Sequence, residues 1–231
     1  MRVRQLHRWD LDYAQAVAIQ NQLASEVIEG PPLEDVKTVA AADVSAGRKD
    51  EWIAAVVVVT RLADGAVLEV SRAARRATWP YVPGCLSFRE APVVLEAFSR
   101  LRTTPDVVLC DGQGRAHPRR LGLACHVGLA LEVPTIGCAK SRLIGERVGR
   151  LGVRRGSRAP LVDGGERIGT VLRTRDGVQP VYTSVGHRLD LASAERWVLA
   201  AASRFRLPEP SRLAHRYVTE YKQEITGRGD A

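Results

Sequence analysis

The run Val107-Val-Leu-Cys110, closed by Asp111-Gly-Gln-Gly114, constrains this chain more than any other feature. Four consecutive apolar residues read as a buried strand. A parallel strand that ends in a carboxylate presents it at the edge of a sheet, in the crevice where α/β folds do their chemistry. Gly112 and Gly114 then let backbone approach a ligand closely, and the turn goes on to carry His117 and Pro118. Asp-Gly is also an ordinary turn dipeptide, which is the plain structural alternative.

The elements around that strand follow from periodicity. Ala16, Ile19, Leu23 and Val27 share one helical face, predicting a helix from Asp12 to Glu29 that Gly30-Pro31-Pro32 stops. Strands are expected over Thr38–Ser45, Trp52–Thr60 and Val67–Arg72. The short turns Ala46-Gly-Arg-Lys-Asp50 and Ala63-Asp-Gly65 make them an antiparallel meander. The loop Trp79-Pro-Tyr-Val-Pro-Gly84 leads into a helix ending near Arg102. Strand Val107–Asp111, helix Arg120–Leu131 and strand Pro134–Ala139 then alternate, which implies parallel pairing. Gly145 to Val178 reads as short hairpins or loops and Val181–Val185 as a strand. Leu191–Arg204 and Pro210–Tyr221 read as helices, before a frayed tail Gly227–Ala231. With no linker, repeat or low-complexity tract, residues 1–231 are expected to form one domain.

Three antiparallel strands, a helix, then strand-helix-strand is the order of the ribonuclease H-like fold, an α/β architecture with a mixed sheet flanked by helices. That fold seats one carboxylate on its first strand and another at the end of its fourth. Asp43, inside Val39-Ala-Ala-Ala-Asp-Val-Ser45, takes the first place and Asp111 the second. An aspartate in an alanine strand is expensive to bury unless something neutralises it; an arginine partner is the structural alternative to a ligand.

Charge and cysteine usage narrow the classes further. The net charge of +8 suggests a polyanionic partner, yet only Lys37, Lys49, Lys140 and Lys222 are lysines, so the arginine excess is partly compositional. Clustering carries more weight: Arg115, Arg119 and Arg120 flank the glycine turn, and Arg142, Arg147, Arg150, Arg154, Arg155 and Arg158 follow one another. A basic surface beside a carboxylate is the electrostatic footprint of a nucleic-acid enzyme; a solvated basic face is the alternative. Cys85, Cys110, Cys125 and Cys138 stand singly without zinc-site spacing, as buried free thiols of a cytoplasmic protein. The tract Leu121–Ala139 contains His126, Glu132 and Pro134, which reads as helix, break and strand and not as a membrane span. The amino terminus lacks the apolar core of a signal peptide.

Four blocks now resemble the endonuclease V family over most of the chain. They are Ala42-Asp-Val-Ser45, Pro80-Tyr-Val-Pro-Gly-Cys-Leu-Ser-Phe-Arg-Glu90, Asp111-Gly-Gln-Gly-Arg-Ala-His-Pro-Arg-Arg120 and Pro134-Thr-Ile-Gly-Cys-Ala-Lys140. Val185-Gly-His-Arg188 and Arg212-Leu-Ala-His215 are similar to weaker C-terminal blocks, and Cys125 stands where serine is more usual. The resemblance implies a metal-dependent repair endonuclease acting on deoxyinosine, the product of adenine deamination. Such an enzyme hydrolyses the second phosphodiester bond 3′ to the lesion and leaves 3′-hydroxyl and 5′-phosphate ends. Some members act on inosine in RNA. A monomer is expected, with DNA as partner and no membrane.

Phosphodiester hydrolysis needs an activated water and a stabilised leaving oxygen, and Mg²⁺ held by carboxylates supplies both, with Mn²⁺ as a substitute. Asp43 and Asp111 are the first-choice ligands and Glu90 the third, although Ser87-Phe-Arg-Glu90 also matches a helix capping box. Against that box, Pro92 prefers a first turn. Lys140 ends a strand beside the site and completes the catalytic set, a solvated lysine being the alternative. His117 and His215 are candidates to contact the lesion or scissile region, as against structural hydrogen bonds; His187 has no assigned part. Prolines stiffen Pro80-Tyr81-Val82-Pro83, so with the resemblance Tyr81 becomes a wedge that fills the gap of an extruded base. Without it, the ring packs on the surface. Leu86, Gly112, Gly114 and Leu143 would help form the base pocket. A ribonuclease H-like nuclease without lesion specificity, or a non-catalytic binder on the same scaffold, are the competing functions.

Overall fold

The structure is a computed structural model that describes residues 1–46 and 52–227. Its frame is a mixed sheet: β1 (Thr38–Ser45), β2 (Trp52–Arg61), β3 (Val67–Arg76), β4 (Val107–Cys110), β5 (Thr135–Ala139), β6 (Glu146–Arg147), β7 (Arg158–Asp163), β8 (Glu166–Leu172) and β9 (Val181–His187). In space the order is β3-β2-β1-β4-β5-β9-β8-β7-β6. The first three strands form the expected antiparallel meander. β4 and β5 then join parallel to β1 and β4, and β9, β8, β7 and β6 return antiparallel. Five helices flank the sheet among the described residues: α1 (Tyr13–Ala24), α2 (Leu86–Ser99), α3 (Leu123–Leu131), α4 (Leu191–Ala201) and α5 (Glu209–Gly227).

Alternation along β1 decides which way its side chains face. Ala40 and Ala42 pack with Val57 and Val59 under α2 and α3. Val39 and Ala41 pack with Val56 and Val58 under α4 and α5. Asp43 continues the second row, so its carboxylate leaves the sheet on the α4/α5 side. A one-residue slip of register would turn it to the other face.

Element boundaries moved where tertiary partners intervened. α1 starts on a capping box between Asp12 and Gln15 and stops at Ala24, not at Glu29. The Ser25 hydroxyl bonds back to Gln22 O at 2.7 Å, and the next residues are taken by β9: Ile28 N–H donates to His187 Nδ1 at 3.2 Å. Val27 leaves the helix yet still packs beside Leu23 and Leu121. β3 runs on to Arg76 because β2 offers pairing down to Trp52. α2 ends at Ser99 and α4 at Ala201, short of the expected ends. α3 begins at Leu123, since Arg120 adopts a left-handed φ of 55° that no helix start tolerates. The Gly145–Val178 region is built around the β7–β8 hairpin, with the short β6 paired to β7, and α5 extends beyond Tyr221 to Gly227. The expected turn over 47–50 and the tail 228–231 lie outside the described residues.

All four cysteines are buried and unbridged. Burial pushes the thiols of Cys125 and Cys138 up to about 12. The Leu121–Ala139 tract is α3 followed by β5, and no described helix is long and apolar enough to cross a membrane.

Candidate active site

Parallel pairing of β1 and β4 sets Ala42 beside Cys110, and Asp111 N–H donates to Ala42 O at 3.3 Å. Asp43 and Asp111 therefore stand on adjacent strands, whose usual spacing is about 4.8 Å. Lys140, the first residue after β5, brings Nζ to 2.5 Å from Asp111 Oδ2. From α5, His215 brings Nδ1 to 2.7 Å from Asp43 Oδ2. Burial opposes the charge on Lys140, but the Asp111 hydrogen bond and the charges of Asp111 and Asp43 outweigh it and raise its pKa. Asp43 is raised by burial first and by the Asp111 charge second, with His215 and Lys140 pulling it back.

Glu90 reaches the same cluster from α2, on the other face of the sheet. Burial, then the charges of Asp43 and Asp111, push its carboxyl up to about 8. The capping box weighed for Ser87 and Glu90 does not form. α2 begins at Leu86 with Cys85 before it, and Ser87 lies inside the helix with its hydroxyl 3.2 Å from His126 Nδ1. Pro92 is deeper in α2 than a first turn, where it removes one backbone hydrogen bond.

Among the described residues no three His, Cys, Asp or Glu side chains close into a finished metal cage. Lys140 and His215 instead each hold one oxygen of Asp111 and Asp43. The donor chemistry still fits a hard cation: three carboxylates share one site, and their mutual repulsion adds to burial in holding Glu90 so high.

Beside Asp111 and Lys140 opens a pocket of about 320 Å³, lined by Tyr81, Leu86, Gly112, Gln113, His117 and Leu143 among others. Gly114 does not line it, contrary to expectation. A Cβ there would lie 2.0 Å from Val185 O, so the glycine is required by β9 and not by a ligand. At Gly112 the nearest atom to an added methyl would be Leu123 Cβ at 3.6 Å, an ordinary contact. Gln113, missed in the sequence, donates from Nε2 to Ser141 O at 3.0 Å. Its place between two glycines was the available signal.

The Pro80–Pro83 loop is clamped at both ends. Trp79 is buried and its carbonyl accepts from the Arg89 guanidinium. The Gly84 carbonyl accepts from Gln20 Nε2 at 3.0 Å, His117 Nε2 at 3.1 Å and Arg119 Nη2 at 2.5 Å. Val82 packs against the cluster of Ala16, Trp79 and Phe88, while Tyr81 remains exposed. His117 spends its second nitrogen on Arg119 N–H at 3.3 Å. Burial, then the Arg119 charge, hold it down at about 4, so it is a neutral clamp on the loop. His187 is likewise structural, taken by Ile28.

Several arginines expected to face a polyanion are committed internally. Arg115 pairs with Glu29 and Glu166, Arg120 with Asp163 and Glu166, and Arg158 with Glu195. Arg119 is held by Gln20 and Gly84. Arg147, Arg150 and Arg154 are exposed, with no ion pair to another described residue.

The chain is similar to known proteins over most of its length. The family Endonuclease V matches residues 21–216. The endonuclease V of Rhodospirillum centenum is 48% identical over 214 residues, 92% of this chain and 89% of that protein. The crystal structure of the Streptomyces avermitilis endonuclease V superposes with a TM-score of 0.90 at 38% identity, covering 98% of this chain and 100% of that one. A Ciona intestinalis endonuclease V, in complex with a 24mer DNA containing an inosine followed by a ribo-adenosine, gives a TM-score of 0.81 at 25% identity over 92% and 98% of the two chains.

Proposed function

The chain belongs to the endonuclease V family and is an endonuclease, and on that premise we propose that it recognises deoxyinosine and hydrolyses the second phosphodiester bond 3′ to it. The observation that carries this reading is the joint placement of Asp43, Glu90, Asp111, Lys140 and His215 beside a pocket edged by Tyr81. A pocket of about 320 Å³ with apolar walls and a few polar groups suits one flat base extruded from a strand.

Asp43 and Asp111, with Glu90, would hold Mg²⁺ or Mn²⁺, which when bound activates water and offsets charge on the leaving oxygen. Lys140 keeps a positive charge beside Asp111 and neutralises a non-bridging phosphate oxygen. His215, exposed on one side and bonded to Asp43 on the other, presents Nε2 for the scissile region. Tyr81, on a loop fixed at Trp79 and Gly84, fills the space of the extruded base. Leu86, Gly112, His117 and Leu143 bound the base itself.

Labelled duplexes that differ only by inosine against adenine, incubated with Mg²⁺, test the proposal. A nick confined to the inosine strand, two bonds 3′ of the lesion and leaving 3′-hydroxyl and 5′-phosphate ends, is expected. Equal cutting of both duplexes would establish a nuclease without lesion specificity instead. The same assay with inosine-containing RNA measures the second substrate.

A further inference from the structure

Phe205, in the loop between α4 and α5, and Arg212, at the start of α5, form an aromatic–cation pair that has no part in the site described above. Phe205 is 40% exposed, and the guanidinium carbon of Arg212 stands 3.8 Å from its ring centroid. Glu209 holds the same guanidinium through contacts of 3.2 and 3.3 Å. Two links tie the pair to the carboxylates. Arg206, next to Phe205, donates from Nη2 to Lys140 O at 2.5 Å and Pro180 O at 2.8 Å. Arg212 sits one turn before His215, which bonds Asp43. The residues on either side of the ring, Arg206 in the loop and Arg212 on α5, are thus tied to Lys140 directly and to Asp43 by way of His215.

Its position is complementary to that of Tyr81. The Tyr81 loop leads into α2, on one face of the sheet, whereas Phe205 leads into α5 on the other. A groove lined by Phe205, Arg204, Arg212 and Arg61, together with Asp64 and Glu209, continues from it to the turn between β2 and β3. An exposed ring alone needs no explanation. A ring backed by guanidinium, at the edge of a groove that carries arginines and next to a residue bonded to Lys140, has the makeup of a nucleic-acid stacking platform.

We propose that Phe205, backed by Arg212, stacks on a base of the bound strand beyond the carboxylates, on the side away from the lesion pocket. The proposal rests on the endonuclease reading above. Because the bond cut there lies 3′ to the lesion, the stacked base belongs to the 3′ flank. Every base offers a π-face, so the platform is indifferent to sequence. It would fix the distance between lesion and scissile bond by holding the strand on both sides of the carboxylates.

The test uses single-stranded DNA carrying one inosine, with 2-aminopurine placed in turn at each position of the 3′ flank and no divalent cation added. For the parent protein, quenching at one or two positions 3′ of the scissile bond is expected. Phe205→Ala should lose that quenching and bind roughly tenfold more weakly, while Phe205→Trp keeps both. Trimming the 3′ flank should weaken the parent and leave Phe205→Ala unchanged. If Phe205→Ala keeps the parent quenching pattern and an affinity within about twofold, the platform is refuted while the endonuclease reading stands. If the parent shows no preference for inosine strands in this binding test and does not nick them when Mg²⁺ is added, both fail together.

Discussion

His215 Nδ1 lies 2.7 Å from Asp43 Oδ2, across 172 residues of sequence. A carboxylate buried in an alanine strand is thereby held by an imidazole from the last helix, while its other oxygen accepts from Val44 N–H at 2.9 Å. Asp43→Asn preserves shape and most of this bonding but removes the charge, and Asp111→Asn does the same beside Lys140. Both variants should nick inosine DNA at least roughly a hundredfold more slowly, with binding to it retained. Single-turnover cleavage and a gel-shift titration on the same substrate separate the two effects; near-parental nicking would remove these residues from the site.

Tyr81→Ala should weaken binding to inosine in duplex DNA far more than in a single strand. Unstacking costs a few kcal/mol in a paired strand and less in an unpaired one, and only the duplex needs the ring as a substitute. Tyr81→Phe should behave as the parent. Equal losses on both substrates would mean that the loop is a general contact and not a wedge.

The two glycines of the Asp111 turn should separate stability from recognition. Gly114→Ala drives a methyl to within 2.0 Å of Val185 O and should cost roughly 3 kcal/mol or more, seen as a large fall in Tm or loss of soluble protein. Gly112→Ala meets only Leu123 at 3.6 Å, so its Tm should hold while inosine binding weakens in the narrowed pocket. A normal Tm for Gly114→Ala would contradict the packing against β9.

Acid should destabilise the protein before its carboxylates titrate in bulk. Burial holds His117, His126 and His187 neutral at about 4, 3 and 4, whereas each protonates near 6.5 in the unfolded chain. Between those values the unfolded state binds more protons, so this stability is complete above about 6.5 and is lost as pH falls toward 4. Glu90 and Asp43, raised by burial, run the other way with fewer protons. The net loss should be on the order of 2 kcal/mol between pH 6.5 and 5. Urea midpoints at both pH values measure it, and an unchanged or higher midpoint at pH 5 would refute it.

Affinity for plain duplex should fall with salt through Arg147, Arg150 and Arg154 more than through the arginines of the glycine turn. Each phosphate contact removed lowers the log–log salt slope by about one. Substituting Arg115 or Arg120 should lower Tm instead, since both are held in ion pairs with Glu166. Unchanged slopes on removing all three exposed arginines would turn that arm away from DNA.

What the sequence disclosed was whatever local pattern determines. The order of elements put Asp43 inside the apolar strand Val39–Ser45, and the run Val107–Cys110 put Asp111 at the end of the next parallel one, since burial on two faces leaves strand residues little choice. Lys140 stood out by the block that resembles the family and by the scarcity of lysine in the chain. Non-local partners hid the rest. Ser87 looked like a cap because nothing in sequence shows His126 waiting for its hydroxyl. Gly114 looked like a ligand-facing glycine because the backbone of β9 that crowds it is some 70 residues away, as the Gly114 N–H to Ser184 Oγ bond records. Arg115 and Arg120 looked free for DNA because Glu29, Asp163 and Glu166 are brought to them only by the fold. Val27 kept helical spacing after the helix itself had ended, since contact with Leu23 and Leu121 needs only proximity.

The unbridged thiols give this molecule an internal clock for its own opening. Alkylating reagents attack thiolates, and burial denies them both access and ionisation at Cys110, Cys125 and Cys138. Cys85 lies under the Tyr81 loop beside Trp79 and Phe88, Cys110 at the end of β4 on the face covered by α2 and α3, Cys125 against α1, and Cys138 beneath α4 and α5. Each belongs to a different packing cluster, so the order in which a maleimide marks them on slow warming would chart which layer of the protein loosens first.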